Sequence, residues 1–157
     1  SLFLVLKSEA SWGCHCGQFK FETDLDPIFI IQCNCTNRRR ITGTYALHCP
    51  YGETEVTFSG ETDSYPFKGG SGYESVAHTC KKCHVRVYNK PAPEVMDGIV
   101  SLPLGGFDTA DKLAPKVEMW TTEKLPFLKN SDSIVESFEG NAITERLMAL
   151  LKSMEER

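Results

Sequence analysis

The sequence predicts one mostly β domain, pinned by a metal ion and finished by a C-terminal amphipathic helix. Three observations carry that reading. Short apolar runs, many of them alternating, are separated by Gly, Pro and Asp clusters, which is the pattern of strands and turns. Four cysteines stand as Cys14-His15-Cys16 and Cys80-Lys81-Lys82-Cys83, a set that can close a tetrahedron around zinc. After Gly140, Ile143, Leu147, Leu150 and Met154 recur at helical spacing, with Asn141 placed to cap the first turn. A chain of 157 residues with 41% hydrophobic content has enough apolar side chain for one core. The expected organisation is a zinc domain over 1–140 and a helix over 141–157 that packs on the same domain or on a partner, a homodimer being the partner in view.

The elements follow in order. Ser1 to Leu6 is apolar, lacks a basic leader and is far shorter than a membrane span of roughly 20 residues, so it reads as a core or edge strand and no membrane is expected. Gly17 to Ile31 reads as strand, with Phe19 and Phe21 alternating against polar neighbours, a turn at Asp26-Pro27 and the apolar run Ile28 to Ile31. Further strands are expected at Tyr45 to Cys49, Glu53 to Ser59, Ser75 to Thr79, Val85 to Asn89, Gly98 to Leu104 and Lys116 to Thr121. Lys68-Gly69-Gly70-Ser71-Gly72 reads as a hairpin tip.

Charge and cysteine use narrow the function. A formal net charge of -4 argues against a protein built to hold a phosphate backbone. Six of the seven cysteines sit in close pairs, which fits metal ligation in a reducing compartment better than a disulfide framework, so a cytoplasmic location is expected. Asn34-Cys35-Thr36 matches a glycosylation acceptor pattern that would matter only in a secreted chain.

In an extended strand residues two apart share a face, so Cys14 and Cys16 can reach one ion while His15 points away. Cys80 and Cys83, held in a tight turn, supply the other two thiolates. The rival reading of Cys80-x-x-Cys83 is a redox pair. Such a pair normally opens a helix, whereas Val85-Arg86-Val87-Tyr88 is strand-like, and redox use would leave Cys14 and Cys16 unexplained.

Gly13-Cys14-His15-Cys16-Gly17, then Cys33-Asn34-Cys35, Thr42-Gly43, the Gly-rich turn, Cys80-Lys81-Lys82-Cys83, Pro115 to Trp120 and Ser137-Phe138-Glu139 follow one another in a specific order. Together they resemble the glutathione-dependent formaldehyde-activating enzyme family, which includes centromere protein V, over about Gly13 to Phe138. The resemblance implies an Mss4-like fold of antiparallel sheets pinned by a structural zinc on Cys14, Cys16, Cys80 and Cys83. Members usually hold a second zinc on C-x-C-x-x-C, with an open position for glutathione thiolate, and form S-hydroxymethylglutathione from formaldehyde. Here Arg38 occupies the third ligand position, and a guanidinium has only donors and cannot ligate a cation. His84 stands where the family usually has glycine.

Three readings of the second site follow. Cys33 and Cys35 could keep a catalytic zinc with His48 or Cys49, only one of which can face the site from a strand. The pocket could instead be reused without metal, with Arg38 binding an anionic group or a developing oxyanion and Cys33 or Cys35 acting as nucleophile or acid-base. The third reading is a non-catalytic zinc-stapled binding or structural module. The reading taken forward is a zinc-containing, lyase-like enzyme acting on a small carbonyl or thiol-linked metabolite, repurposed from S-hydroxymethylglutathione synthase-type chemistry. Its candidate catalytic residues are Cys33, Cys35, Arg38 and His48, and its substrate is anionic or glutathione-like. His15 and His78 read as packing or supporting residues, and Trp12, Phe19, Phe21 and Trp120 as core or groove aromatics.

Overall fold

The computed structural model describes residues 10–91 and 96–156; the run Ser1 to Leu6, expected as strand, lies outside them. In chain order the elements are β1 (Ala10–Gly13), β2 (Lys20–Thr23), β3 (Ile31–Cys33), α1 (Thr36–Thr42), β4 (Ala46–Gly52), β5 (Thr57–Ser59), β6 (Thr62–Lys68), β7 (Glu74–Cys80), β8 (Arg86–Pro91), β9 (Ile99–Pro103), β10 (Val117–Met119), β11 (Glu136–Ser137) and α2 (Ile143–Glu156). The protein is mostly β, with two sheets. One has three strands in the order β1-β2-β5, and the other has eight in the order β11-β10-β3-β4-β9-β8-β7-β6.

The expectation of antiparallel sheets holds except at one edge of the large sheet, where β10 runs parallel to β3, with Val117 opposite Ile31, and parallel to β11. Parallel neighbours need a long connection, and the chain supplies one by building β4 to β9 between β3 and β10. The turn expected at Asp26-Pro27 separates β2 from β3, but the strand expected over Gly17 to Ile31 is shorter on both sides of it, and Ile28 and Ile30 are buried without joining a ladder. Four elements were not foreseen: β1, β6, α1 and the short β11. β6 is polar and contains Pro66, which an edge strand tolerates because its outer side donates to no neighbour. α1 lies where the sequence offered only a charge run. It starts at Cys35, whose sulfur accepts from Arg38 N, and stops at Gly43, whose φ of 98° lets its N–H return to Arg39 O. Of the tail on which the helical reading rests, the side chains of Leu147, Leu150 and Met154 lie outside the described residues.

Strand alternation gives the large sheet two different faces. Cys49 and Tyr51 of β4 and Val100 and Leu102 of β9 point toward the three-stranded sheet, where they meet Trp12, Phe19 and Phe21 in the main core. Phe21 packs edge-on against Tyr51 at 5.1 Å between ring centroids, and Phe58 stacks on Tyr88 at 4.7 Å. Fully burying side chains of this size contributes about 1.5–3 kcal/mol each, which makes this the stabilising face. The opposite face carries Ile31, Cys33, His48, Pro50, Ser101 and Asn89, and it lines a cleft. No helix among the described residues is long and apolar enough to cross a membrane.

Candidate metal centre and cleft

Cys14, Cys16, Cys80 and Cys83 come together, with all four sulfurs within 4.8 Å of one another. Cys14 and Cys16 sulfurs are 3.6 Å apart, and Cys16 and Cys80 sulfurs 3.7 Å. A tetrahedron with zinc–sulfur bonds of about 2.3 Å places its sulfurs about 3.8 Å apart, so the four thiols fit such an ion. The route to this geometry differs from the sequence expectation. β1 ends at Gly13, and Cys14 and Cys16 meet in a turn closed by Gly17 N donating to Cys14 O, with Gly17 at φ 77°. His15 is exposed at its tip. The second turn is closed by His84 N donating to Cys80 O, and His84 takes φ 60°. That left-handed conformation suits glycine, which is the physical sense of a glycine at this position. His84 itself is exposed and lies away from the cleft. Phe19 N donates to the Cys14 sulfur at 3.3 Å, the kind of contact that supports a thiolate ligand.

The cleft on the other face has a cavity of about 120 Å³, and Cys33, Cys35, Arg38 and His48 all line it. β3 delivers Cys33, the following turn delivers Cys35, the first turn of α1 delivers Arg38, and β4 delivers His48, whose Nδ1 lies 3.1 Å from Ser101 Oγ. Cys49, the neighbour of His48, points into the main core, where burial pushes its thiol up to about 12. Among the described residues the four-cysteine cluster is the one group of three or more His, Cys, Asp or Glu donors close enough to hold an ion, so neither His48 nor Cys49 completes a set with Cys33 and Cys35. The β6–β7 tip leans over the cleft. Phe67 lies under the Arg38 guanidinium, 5.0 Å from ring centroid to carbon, and a Cβ at Gly70 would sit 3.2 Å from Trp120 Cζ2. Trp120 lines the cleft at φ 59°, a strained conformation for a bulky residue.

The two cleft cysteines titrate apart. The Cys33 thiol donating to Cys35 sulfur, then the Arg38 backbone N–H and guanidinium, pull the Cys35 thiol down to about 6 against burial and the Glu123 carboxylate. The same contact with Cys35, together with burial, pushes Cys33 up and holds it protonated. Burial lowers Arg38 from its ordinary value, and burial with the neighbouring Arg38 charge lowers Arg86 to about 10.

A buried network braces this loop from behind. Asn34, between the two cysteines, donates from Nδ2 to Glu118 Oε2 at 3.1 Å and to Met119 O at 3.2 Å. Glu118 also accepts from Asn130 Nδ2 at 2.6 Å, Ser137 Oγ at 2.8 Å and Lys124 Nζ at 3.1 Å. Burial alone would raise this carboxyl, and those bonds hold it below its ordinary value. Glu123 accepts from Thr36 N and Thr36 Oγ1 and so fixes the start of α1.

Sequence reasoning missed Arg86, Asn89, Glu123 and the bracing Glu118. Asn89 had one visible signal, an amide among strand residues that should be apolar where the strand is buried. His78 stacks on Tyr88 at 4.2 Å, a packing role.

A family model described as glutathione-dependent formaldehyde-activating enzyme matches residues 9–123. No curated protein matches the chain. A crystal structure of a Rhodobacter sphaeroides protein is similar at 12% identity, over 82% of this chain and 98% of that one, with a TM-score of 0.42.

Proposed function

The chain belongs to the glutathione-dependent formaldehyde-activating enzyme family, and from that premise we propose a zinc-stapled cytoplasmic enzyme whose cleft adds a thiolate to a small carbonyl compound. The observation that carries this reading is Cys35, a cleft-lining sulfur that accepts from Arg38 N at 3.4 Å, sits beside Cys33 and has no third metal donor within reach among the described residues. A thiolate placed so is a nucleophile rather than one corner of a metal site.

Cys14, Cys16, Cys80 and Cys83 would hold the structural zinc. When bound, that ion supplies fold stability, since four protein sulfurs fill its coordination and leave no position for substrate.

In the cleft, the Cys35 thiolate pair forms a bond to the carbonyl carbon while the C=O π pair moves to oxygen. The Arg38 guanidinium offsets the charge that develops there, and the Cys33 thiol can return a proton to the alkoxide, giving a thiohemiacetal. The reverse of these steps releases the carbonyl compound, which is lyase-like behaviour. His48, bonded to Ser101, lines the wall from which a second proton transfer can be made. A cavity of about 120 Å³ is well below the roughly 300–1,000 Å³ of drug-sized sites, so a small molecule or the reacting end of a thiol-linked adduct fits, not a whole tripeptide.

The test uses ¹³C-labelled formaldehyde and the purified zinc-loaded protein. A thiohemiacetal carbon signal that disappears in Cys35→Ser is expected. An equal signal in both proteins, or none in either, sinks the reading and favours the non-catalytic module.

A further inference from the structure

Beyond the nucleophile, Arg38 and Asn89 line the cleft, and a second arginine, Arg86, stands against Asn89 behind that wall. Asn89 is 2% exposed, lines the cleft and lies between Arg38 and Arg86. Turned one way its Oδ1 accepts from Arg86 Nη1 at 3.5 Å; turned the other it accepts from both terminal nitrogens of Arg38. One amide oxygen cannot serve both forks, so in either orientation one guanidinium lacks that acceptor. Neither arginine forms an ion pair among the described residues, where the ion pairs join Lys90 with Glu53 and Lys124 with Glu118. Like charges held close in a partly buried wall cost stability unless an anion lies between them. The lowering of Arg86 by the Arg38 charge is in keeping with that repulsion.

A fold detail brings the pair together. Strand alternation would put Arg86 and Asn89 on opposite faces of β8. The ladder to β7 pairs His78 with Tyr88 and Thr79 with Arg86, leaving Val87 as an extra residue. Such a bulge re-aims the residues on one side of it, and here it turns Arg86 to the face that carries Asn89. Phe67 fixes the Arg38 guanidinium from the other side.

We propose that Arg38 and Asn89, which line the cleft, form a carboxylate subsite backed by the charge of Arg86, so that the substrate is a small carbonyl compound bearing its own carboxylate, of the oxo-acid class. The proposal rests on Cys35 as the nucleophile. Two parallel N–H donors of an arginine match a carboxylate, and Asn89 Nδ2 adds a neutral donor. Arg38 is common to both subsites, which places the carbonyl carbon a few bonds from the carboxylate. Glu74 also lines the cleft but is exposed.

Iodoacetate and iodoacetamide separate the two readings, because they differ only in carrying a carboxylate or its neutral amide. With either, Cys35 sulfur forms a bond to the methylene carbon and iodide leaves with its electron pair. Alkylation of Cys35 in the zinc-loaded protein, followed by peptide mass analysis, gives both rates. The expected wild-type result is a faster and saturable reaction with iodoacetate, slowed by added acetate. Asn89→Asp should lower the ratio of iodoacetate to iodoacetamide rates by about tenfold, the size of one lost charge-assisted hydrogen bond, and Arg86→Met should lower it in the same direction by removing the charge behind Asn89. Asn89→Asp keeps the side-chain volume, so it tests the subsite even if Arg86→Met fails to fold. A brisk iodoacetamide reaction with no preference for iodoacetate, or a preference that survives both variants, overturns the subsite alone. A Cys35 inert to both reagents at neutral pH overturns the nucleophile reading, and the subsite proposal with it.

Discussion

The two C-x-C pairs have the same local spacing and opposite fates. Cys14 and Cys16 meet Cys80 and Cys83 from a distant hairpin, and four sulfurs converge at the edge of the main core. Cys33 and Cys35 meet Arg38 and Trp120 in a cleft on the other face of the large sheet, where no third donor approaches among the described residues. The lesson is that spacing makes a pair of thiols available and the tertiary partner decides their chemistry. Where more thiols converge, an ion can hold the charge and the sulfurs become inert. Where a cation and a hydrogen-bond donor converge, the thiolate form of one sulfur is favoured, as the proposed nucleophile requires.

Four changes probe that contrast. The largest effect is expected at Cys80→Ser, which removes one of the four thiols proposed to hold zinc. Because metal binding is coupled to folding, loss of metal and of the cooperative melt should follow, at a cost of at least several kcal/mol. Elemental analysis and calorimetry check it, and a variant retaining both zinc and its melting behaviour would show that the cluster is not the staple.

Cys35→Ser should do the reverse, abolishing carbonyl addition while Tm stays within a few degrees, since serine can still accept from Arg38 N at the start of α1. A large fall in Tm would make Cys35 a structural residue and erase the distinction between the pairs.

Arg38→Cys sharpens the contrast by supplying a third sulfur and removing the cation that stands in its place. Zinc per chain in protein purified without added metal should rise from one to two. A stoichiometry that stays at one would mean that the cleft, and not only Arg38, rejects the ion.

The smallest effect concerns titration. The thiolate is the reactive form, so the iodoacetamide rate at Cys35 should be lost as pH falls through about 6 and level off above it. Glu123 opposes that thiolate, so Glu123→Gln should move the midpoint further down by a few tenths of a unit. An upward move would show that loss of the Thr36 contacts outweighs the removed charge.

Much of the four-thiol cluster was legible in the sequence because each half is a short turn with its cysteines close in the chain. The error there was one of backbone: Cys14 and Cys16 are joined by a turn at Gly17, not by strand alternation. In the cleft, Cys33, Cys35, Arg38 and His48 were legible by motif position and strand neighbourhood, and all four line it. Arg86 was not legible, because alternation places it on the wrong face and nothing local in Val85-Arg86-Val87-Tyr88 marks Val87 as the extra residue. α1 was hidden for a different reason. A seven-residue helix carries too few turns for an apolar period, and its start depends on a cysteine sulfur acting as cap.

The sequence by itself determined a mostly β chain, the four thiols of the candidate metal site and the absence of a third sulfur at Arg38, because each depends on side-chain chemistry and spacing within a few residues. Only the tertiary structure decided that β10 runs parallel beside β3, that His48 rather than Cys49 faces the cleft, and that two arginines compete for one amide oxygen. Those depend on which face each strand presents, and a single extra residue such as Val87 reverses a face without leaving a mark on composition or period.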